Sequence, residues 1–175
     1  MAMASASAAR TLTVLLVVSC LSGLVVANDA GTGGDAGDSI STAAWLPASN
    51  ATYYGNLTSW SGNDTDDYYG VNMSSDTGIA IGLTSPSGAD FDLVLYTSSG
   101  STIDSSYSTS YDSVTSNGTN VSSTTVYINV NQWTGSGQYT LQIWIFTVTP
   151  PPAQNDANTG GDAGDTYSTP TALSG

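Results

Sequence analysis

The chain has 175 residues, 14 acidic side chains, one basic side chain and no histidine, for a formal net charge of −13 at pH 7. Every acid is an aspartate, the base is Arg10 and the one cysteine is Cys20. This inventory excludes Ser-His-Asp and Cys-His catalysis, which need an imidazole base, zinc sites built on His and Cys, and a phosphate loop built on Lys.

Arg10 precedes "TLTVLLVVSCLSGLVVA", an apolar run with Val25 and Ala27 at its end. We read residues 1–27 as a signal peptide cleaved after Ala27, and the protein as secreted or held at the cell surface. If uncleaved, the run is long enough to serve as a membrane anchor. Lipidation at Cys20 is a weaker alternative, because the "LSGLVV" after it is apolar rather than a polar tether. Cleavage removes the only Arg and the only Cys, so the mature chain keeps its aspartates with no cationic side chain and no disulfide. A compact state concentrates that repulsion, so high salt or bound divalent cations must screen it. Nucleic acid and anionic membranes are poor partners, since nothing neutralises phosphate. No membrane insertion is expected after cleavage.

Next comes "NDAGTGGDAGDS", and nearly the same stretch returns as "NDANTGGDAGDT" from Asn155. Aligned without gaps, 28–46 and 155–173 are identical at 13 of 19 positions. The expected organisation is an acidic Gly/Asp loop over 28–46, a sandwich domain over 47–149, a proline-rich linker over 150–154, and the start of a second repeat unit over 155–175. That makes the chain an N-terminal piece of a longer repeat protein, the alternative being a short protein with an acidic tail.

Between the two loops the apolar residues alternate at period two, with no convincing helical period. "TYYGNLTSW", "DDYYGVNM", "GIAIGLTSP", "DFDLVLYTSSG", "STIDSSYS", "TTVYINVNQW" and "GQYTLQIWIF" read as seven strands. The turn signals between them are "SGND", "SPSGAD", "SSGS", "SNGTN" and "TGSGQ". The pattern predicts an all-β fold, an antiparallel β-sandwich of jelly-roll type. Ile79, Ile81 and Leu83 should face the core, with Phe91, Leu93 and Leu95 and with Leu141, Ile143 and Ile145. Alternate positions such as Trp144 should face outward or towards a neighbouring domain.

The unit resembles the bacterial and archaeal pre-peptidase C-terminal domain family. The likeness rests on "GNLTSWSGNDTDDYYGVNM", "GIAIGLTSPSGADFDLVLYTSSG" and "GSGQYTLQI". The family's glycine before a strand falls at Gly55, and its acidic segment at Asp64, Asp66, Asp67 and Tyr69. Its "G-A-D-x-D-L-x-L-Y" block falls at Gly88–Tyr96, and its closing strand at Gly137, Tyr139 and Leu141. The resemblance spans roughly residues 50–147, a typical domain length. It implies a non-catalytic β-sandwich appended to a secreted protease or surface protein, in a family where some members bind calcium. This copy departs in position, since it directly follows the leader.

The residue chemistry points the same way. Asp76-Thr77-Gly78 is the tripeptide of aspartic proteases, but those enzymes pair two copies; here one occurs, so a turn is expected. Nothing marks one carboxyl of a pair as the raised-pKa acid of a glycosidase. Hard cations such as Ca²⁺ take six to eight oxygens, and three clusters offer them: Asp29, Asp35 and Asp38 in the glycine-rich loop, Asp64, Asp66 and Asp67 in "NDTDDYYG", and Asp90 with Asp92 on one strand face. "GGDAGDSIS" fits the nine-residue calcium repeat only in part, because Ala36 replaces a glycine and no tandem copy follows. "NDTDDYYG" lacks the glycine and distal Glu of an EF-hand. We expect calcium in at least one cluster; a solvated acidic surface is the alternative. N-x-S/T sequons at Asn50, Asn56, Asn63, Asn72, Asn117 and Asn120 make a glycoprotein plausible. Tyr53, Tyr54, Tyr68, Tyr69, Trp60 and Trp133 either form a sugar-stacking platform or are half-buried in the sandwich.

The expected function is a non-catalytic, calcium-stabilised β-sandwich repeat with a structural or adhesive role, meeting an extracellular protein, a polysaccharide or neighbouring repeats. An accessory domain of a secreted hydrolase and a carbohydrate-binding module are the alternatives.

Overall fold

The computed structural model describes residues 28–58, 64–116 and 124–149. The leader, the proline-rich linker, the second acidic loop, Trp60 and the sequons at Asn63, Asn117 and Asn120 lie outside the described residues.

Among the described residues nine strands run in chain order: β1 (Ala44–Leu46), β2 (Ala51–Leu57), β3 (Asp66–Asn72), β4 (Thr77–Thr84), β5 (Asp90–Thr97), β6 (Thr102–Ser106), β7 (Tyr111–Thr115), β8 (Thr125–Thr134) and β9 (Gly137–Thr147). A five-stranded sheet has the order β1-β3-β8-β5-β6, and a four-stranded sheet the order β2-β9-β4-β7. The chain passes back and forth between the two layers, so most sequence neighbours face each other across the core. All pairings are antiparallel except β1 with β3.

The expected core positions are buried: Ile79, Ile81 and Leu83 on β4, Phe91, Leu93 and Leu95 on β5, and Leu141 and Ile143 on β9. Ile145 packs against them partly buried, and Trp144 points outward. Val126, Ile128 and Val130 complete the five-stranded layer's inner face. Two strands escaped the sequence pattern. β1 lies inside the stretch expected to be loop and adds the one parallel pair, placing Trp45 opposite Gly70. β7, "YDSVT", carries Asp112 at an inward position, which interrupts an apolar alternation; its side chain is fully buried and its Oδ1 accepts the Ser108 N–H at 2.7 Å.

The two layers also touch along an edge. Asp104 on β6 accepts the Thr115 N–H of β7 at 2.8 Å, tying the outer strands of the two sheets together. Asp76 has φ 58° in the turn before β4, and its carbonyl accepts the Val148 N–H at 2.8 Å. Of the Asp-Thr-Gly tripeptide only Asp76 lies in the turn, while Thr77 and Gly78 open β4, paired with Thr147 and Phe146 of β9.

Candidate metal centre

The glycine-rich loop before β1 is held in a fixed shape. Ala30, Gly31, Gly33 and Gly37 all have left-handed φ values, of 53°, 73°, 93° and 81°. At Gly37 glycine is needed on two counts, since a Cβ there would also lie 2.5 Å from the Thr42 carbonyl oxygen. Inside the loop, Gly33 N–H donates to Asn28 Oδ1 at 2.8 Å and Asp29 N–H to the Gly34 carbonyl at 2.9 Å. Tyr68 N–H donates to the Gly37 carbonyl at 3.0 Å and Ala44 N–H to the Ala36 carbonyl at 3.1 Å, fastening the loop beside β3. On the other layer, Asn56 N–H of β2 donates to Asp29 Oδ1 at 2.7 Å. Thus the loop bridges both sheets, at the end of the sandwich where β3 begins.

That docking gathers aspartates from two distant parts of the sequence. Asp29, Asp35 and Asp67 each offer a carboxylate oxygen within 4.8 Å of the others, and so do Asp35, Asp38 and Asp64, with Asp35 common to both triads. Asp29 is 1% exposed and Asp67 is 0% exposed. One oxygen of each, Asp29 Oδ2 and Asp67 Oδ1, is buried without a hydrogen-bond partner, and so is Asp64 Oδ1. A buried acceptor left unsatisfied costs about 1–3 kcal/mol, and more when charged.

The strand parity explains how Asp67 comes to be there. Asp67, Tyr69 and Val71 are the inward positions of β3 and are all buried. Asp67 Oδ2 accepts the Tyr139 hydroxyl at 2.5 Å, and the Tyr69 and Tyr139 hydroxyls lie 2.5 Å apart across the core. Gly55 makes room for this, because it pairs with Tyr139 and a Cβ there would fall inside the Tyr139 phenol. Burial raises the Tyr69 and Tyr139 hydroxyls well above the usual phenol range, so both remain neutral donors.

The carboxyls are shifted in the direction that burial and crowding demand. Burial pushes Asp67 up to about 8 against the opposing effect of the Tyr139 hydrogen bond, with Asp29, Asp64 and Asp35 adding to the rise. Asp64 is pushed up to about 6, first by burial and then by Asp35, Asp29 and Asp38. Asp29 is raised by burial and by Asp35. Without a cation, these groups hold protons that a carboxyl in water would have lost.

Of the acids singled out in the sequence, the structure thus brings together Asp29, Asp35, Asp38, Asp64 and Asp67. Asp66 is not among them, because alternate residues of β3 face opposite ways. It lies on the outer face and accepts Asn131 Nδ2 at 2.7 Å, Asn129 Nδ2 at 3.2 Å and Thr65 Oγ1 at 3.0 Å. Asp90 and Asp92 also sit apart, on the outer face of β5, beside Tyr107 and Trp133.

The five of the six aromatics that lie among the described residues do not form one platform. Tyr69 is buried in the core while its neighbour Tyr68 faces outward and stacks on Tyr96 with ring centres 6.4 Å apart. Tyr53 and Tyr54 belong to the other sheet. Among the described sequons, Asn50 and Asn72 are exposed, their Oδ1 atoms accepting Ile145 N–H and Thr125 Oγ1, and Asn56 is half-buried on β2. Sequence reasoning missed the Asn56 N–H and the Tyr139 hydroxyl as partners of the cluster. Only the alternation of β3 and β9 carried a signal for Tyr139.

The sandwich is similar to the pre-peptidase C-terminal domain of a collagenase from Bacillus anthracis, with a TM-score of 0.47 and 22% identity over 57% of this chain and 92% of that one. It is also similar to PliG, a periplasmic inhibitor of g-type lysozyme. The Aeromonas hydrophila protein gives a TM-score of 0.41 at 14% identity over 58% of this chain and 96% of its own. The Salmonella Typhimurium protein gives 0.35 at 14% identity over 58% and 98%. No family model matches the chain, and no curated protein matches it in sequence. Among the described residues no helix is long and apolar enough to cross a membrane.

Proposed function

We propose that this chain is a secreted or cell-surface, non-catalytic β-sandwich module with a structural or adhesive role, and that calcium clamps its acidic N-terminal loop to the sandwich. The observation that carries this reading is the pair of buried, unpartnered oxygens on Asp29 and Asp67, gathered with Asp35 at ligand spacing. The donor set is carboxylate only, which suits a hard cation, and the mature chain has no cationic side chain to take its place. Asp29, Asp35, Asp38, Asp64 and Asp67 would hold the ion, and a bound ion would let Asp67 ionise at neutral pH. The loop would then become a stiff joint between the sandwich and whatever precedes it. Recurrence of the same loop from Asn155 extends that logic to a row of such units.

A second reading, an accessory domain of a secreted hydrolase, is supported by the "GADFDLVLY" block and its likeness to the pre-peptidase C-terminal pattern. Both readings use the same clamp.

Thermal unfolding tests the clamp. A ligand at a hundredfold its Kd stabilises the folded state by about 2.7 kcal/mol, which for a domain of this size is worth several degrees or more in Tm. Calcium should raise Tm well beyond NaCl of equal ionic strength. Equal effects of the two salts would reduce the cluster to a screened acidic surface.

A further inference from the structure

A second site lies on the outer face of the five-stranded sheet. Asp90 and Asp92 are two apart on β5 and point the same way. β8 flanks β5 on one side and β6 on the other. On the β8 side, the register slips between Asp90, which faces Thr134, and Phe91, which faces Gln132, so Trp133 has no partner on β5. Such a bulge re-aims a side chain. On the other side Tyr107 follows the end of β6. Together these four residues line a cavity of about 320 Å³. Trp133 is 71% exposed and Tyr107 69% exposed, so two large rings stand in solvent as the walls of an acidic floor.

The floor is electrostatically uncompensated. Asp90 Oδ1 is buried without a hydrogen-bond partner. The Asp92 carboxyl is raised by burial, then by the neighbouring charges of Asp90 and the buried Asp112. Among the described residues no third acid joins Asp90 and Asp92 at ligand spacing, and the ring walls supply few of the six to eight oxygens that calcium takes. A neutral sugar would stack on the rings but leave the paired charges unrelieved. A basic side chain satisfies both halves of the cavity, since its charge meets the carboxylates while its stem or guanidinium plane lies against Trp133 and Tyr107.

We propose that Asp90, Asp92, Tyr107 and Trp133 form a recognition cleft for a lysine or arginine side chain of a partner protein. A second copy of residues 28–175 does not qualify as the donor, because they contain no Lys or Arg. The partner is therefore a basic protein surface that these residues do not supply, and its attraction falls as salt rises.

The test is a nitrogen-15 NMR titration of the secreted protein in saturating calcium. The probes are Nα-acetyl-lysine methylamide, Nα-acetyl-arginine methylamide, the uncharged Nα-acetyl-norleucine methylamide and methyl glucoside. Either basic probe should shift the Trp133 indole N–H and the Asp92 amide. Asp92→Asn and Trp133→Ala should each weaken binding by about tenfold or more, with Tm close to wild type because one change is isosteric and the other removes an exposed ring. Asp35→Asn, in the other cluster, should bind the basic probes as wild type does. Norleucine binding as tightly as lysine, methyl glucoside moving the same resonances, or no shift with either basic probe would each overturn the proposal.

Discussion

The Tyr139 hydroxyl donates to Asp67 Oδ2 at 2.5 Å, so among the described residues a phenol on β9 supplies the one protein donor to a fully buried carboxyl on β3. Replacing Tyr139 with Phe leaves both Asp67 oxygens without a donor and takes the partner from the Tyr69 hydroxyl. The calcium-free protein should lose about 1–3 kcal/mol, a fall of several degrees or more in Tm. The same hydrogen bond lowers the Asp67 pKa, so its loss should also weaken apparent calcium affinity at neutral pH. Urea unfolding and calorimetric titration check the two effects, and an unchanged unfolding midpoint would remove Tyr139 from the account.

Two strand glycines should respond very differently to alanine. Gly55→Ala drives a methyl into the Tyr139 phenol, which is buried and packed edge-on against Phe91 at 6.2 Å. The ring has nowhere to move, so the cost should reach or exceed the usual ~1–3 kcal/mol of overpacking. Gly70→Ala brings a methyl to 3.0 Å from Trp45, an exposed ring that can slide over the surface. Its cost should be under about 1 kcal/mol. Comparing the two Tm values decides the matter; equal losses would mean that the Tyr139 ring does not sit against Gly55 as described.

The sandwich was legible because its strands obey the plainest rule of β structure. Ile79, Ile81 and Leu83, like Phe91, Leu93 and Leu95, show the alternation that burial on one face requires. Two strands were illegible for opposite reasons. β1 is three residues long, too short to show any period, and β7 carries an acid at a buried position. The metal cluster was half legible. Composition pointed to acids in groups, and sequence proximity grouped Asp64, Asp66 and Asp67. Strand parity instead sends Asp66 outward to Asn129 and Asn131 while Asp67 turns inward to Asp29 and Asp35. Nothing local could show that a loop before β1 closes onto the start of β3, since that contact depends on the fold.

Parity also gives a paired test of the clamp. Asp35→Asn removes a charge common to both triads and should abolish most of the calcium-dependent rise in Tm. Asp66→Asn alters the adjacent outward carboxyl and its amide partners, so it should change the baseline stability by about 1 kcal/mol while keeping the calcium increment. If Asp66→Asn removes the increment and Asp35→Asn spares it, the ion is held on the outer face and the clamp is misplaced.

The calcium-free protein should have an acid-side stability profile unlike that of an ordinary acidic domain. Most native carboxyls have lowered pKa values, so acid destabilises their proteins. Here Asp67 is raised to about 8 and Asp64 to about 6, each from 3.8, so the folded state holds protons more tightly than the unfolded chain does. Their contribution is fully present below about pH 4 and is lost as the pH rises through about 6 and then about 8. Tm of the calcium-free protein should therefore fall between pH 6 and pH 8, and mutual repulsion of the remaining aspartates acts in the same direction. Saturating calcium replaces those protons and should flatten the decline. Asp67→Asn, which has no proton to lose, should flatten its upper part even without calcium. A calcium-free Tm that rises from pH 6 to pH 8 would mean that Asp67 is already ionised in the folded protein, and that its buried oxygens have found a partner other than a proton or a metal.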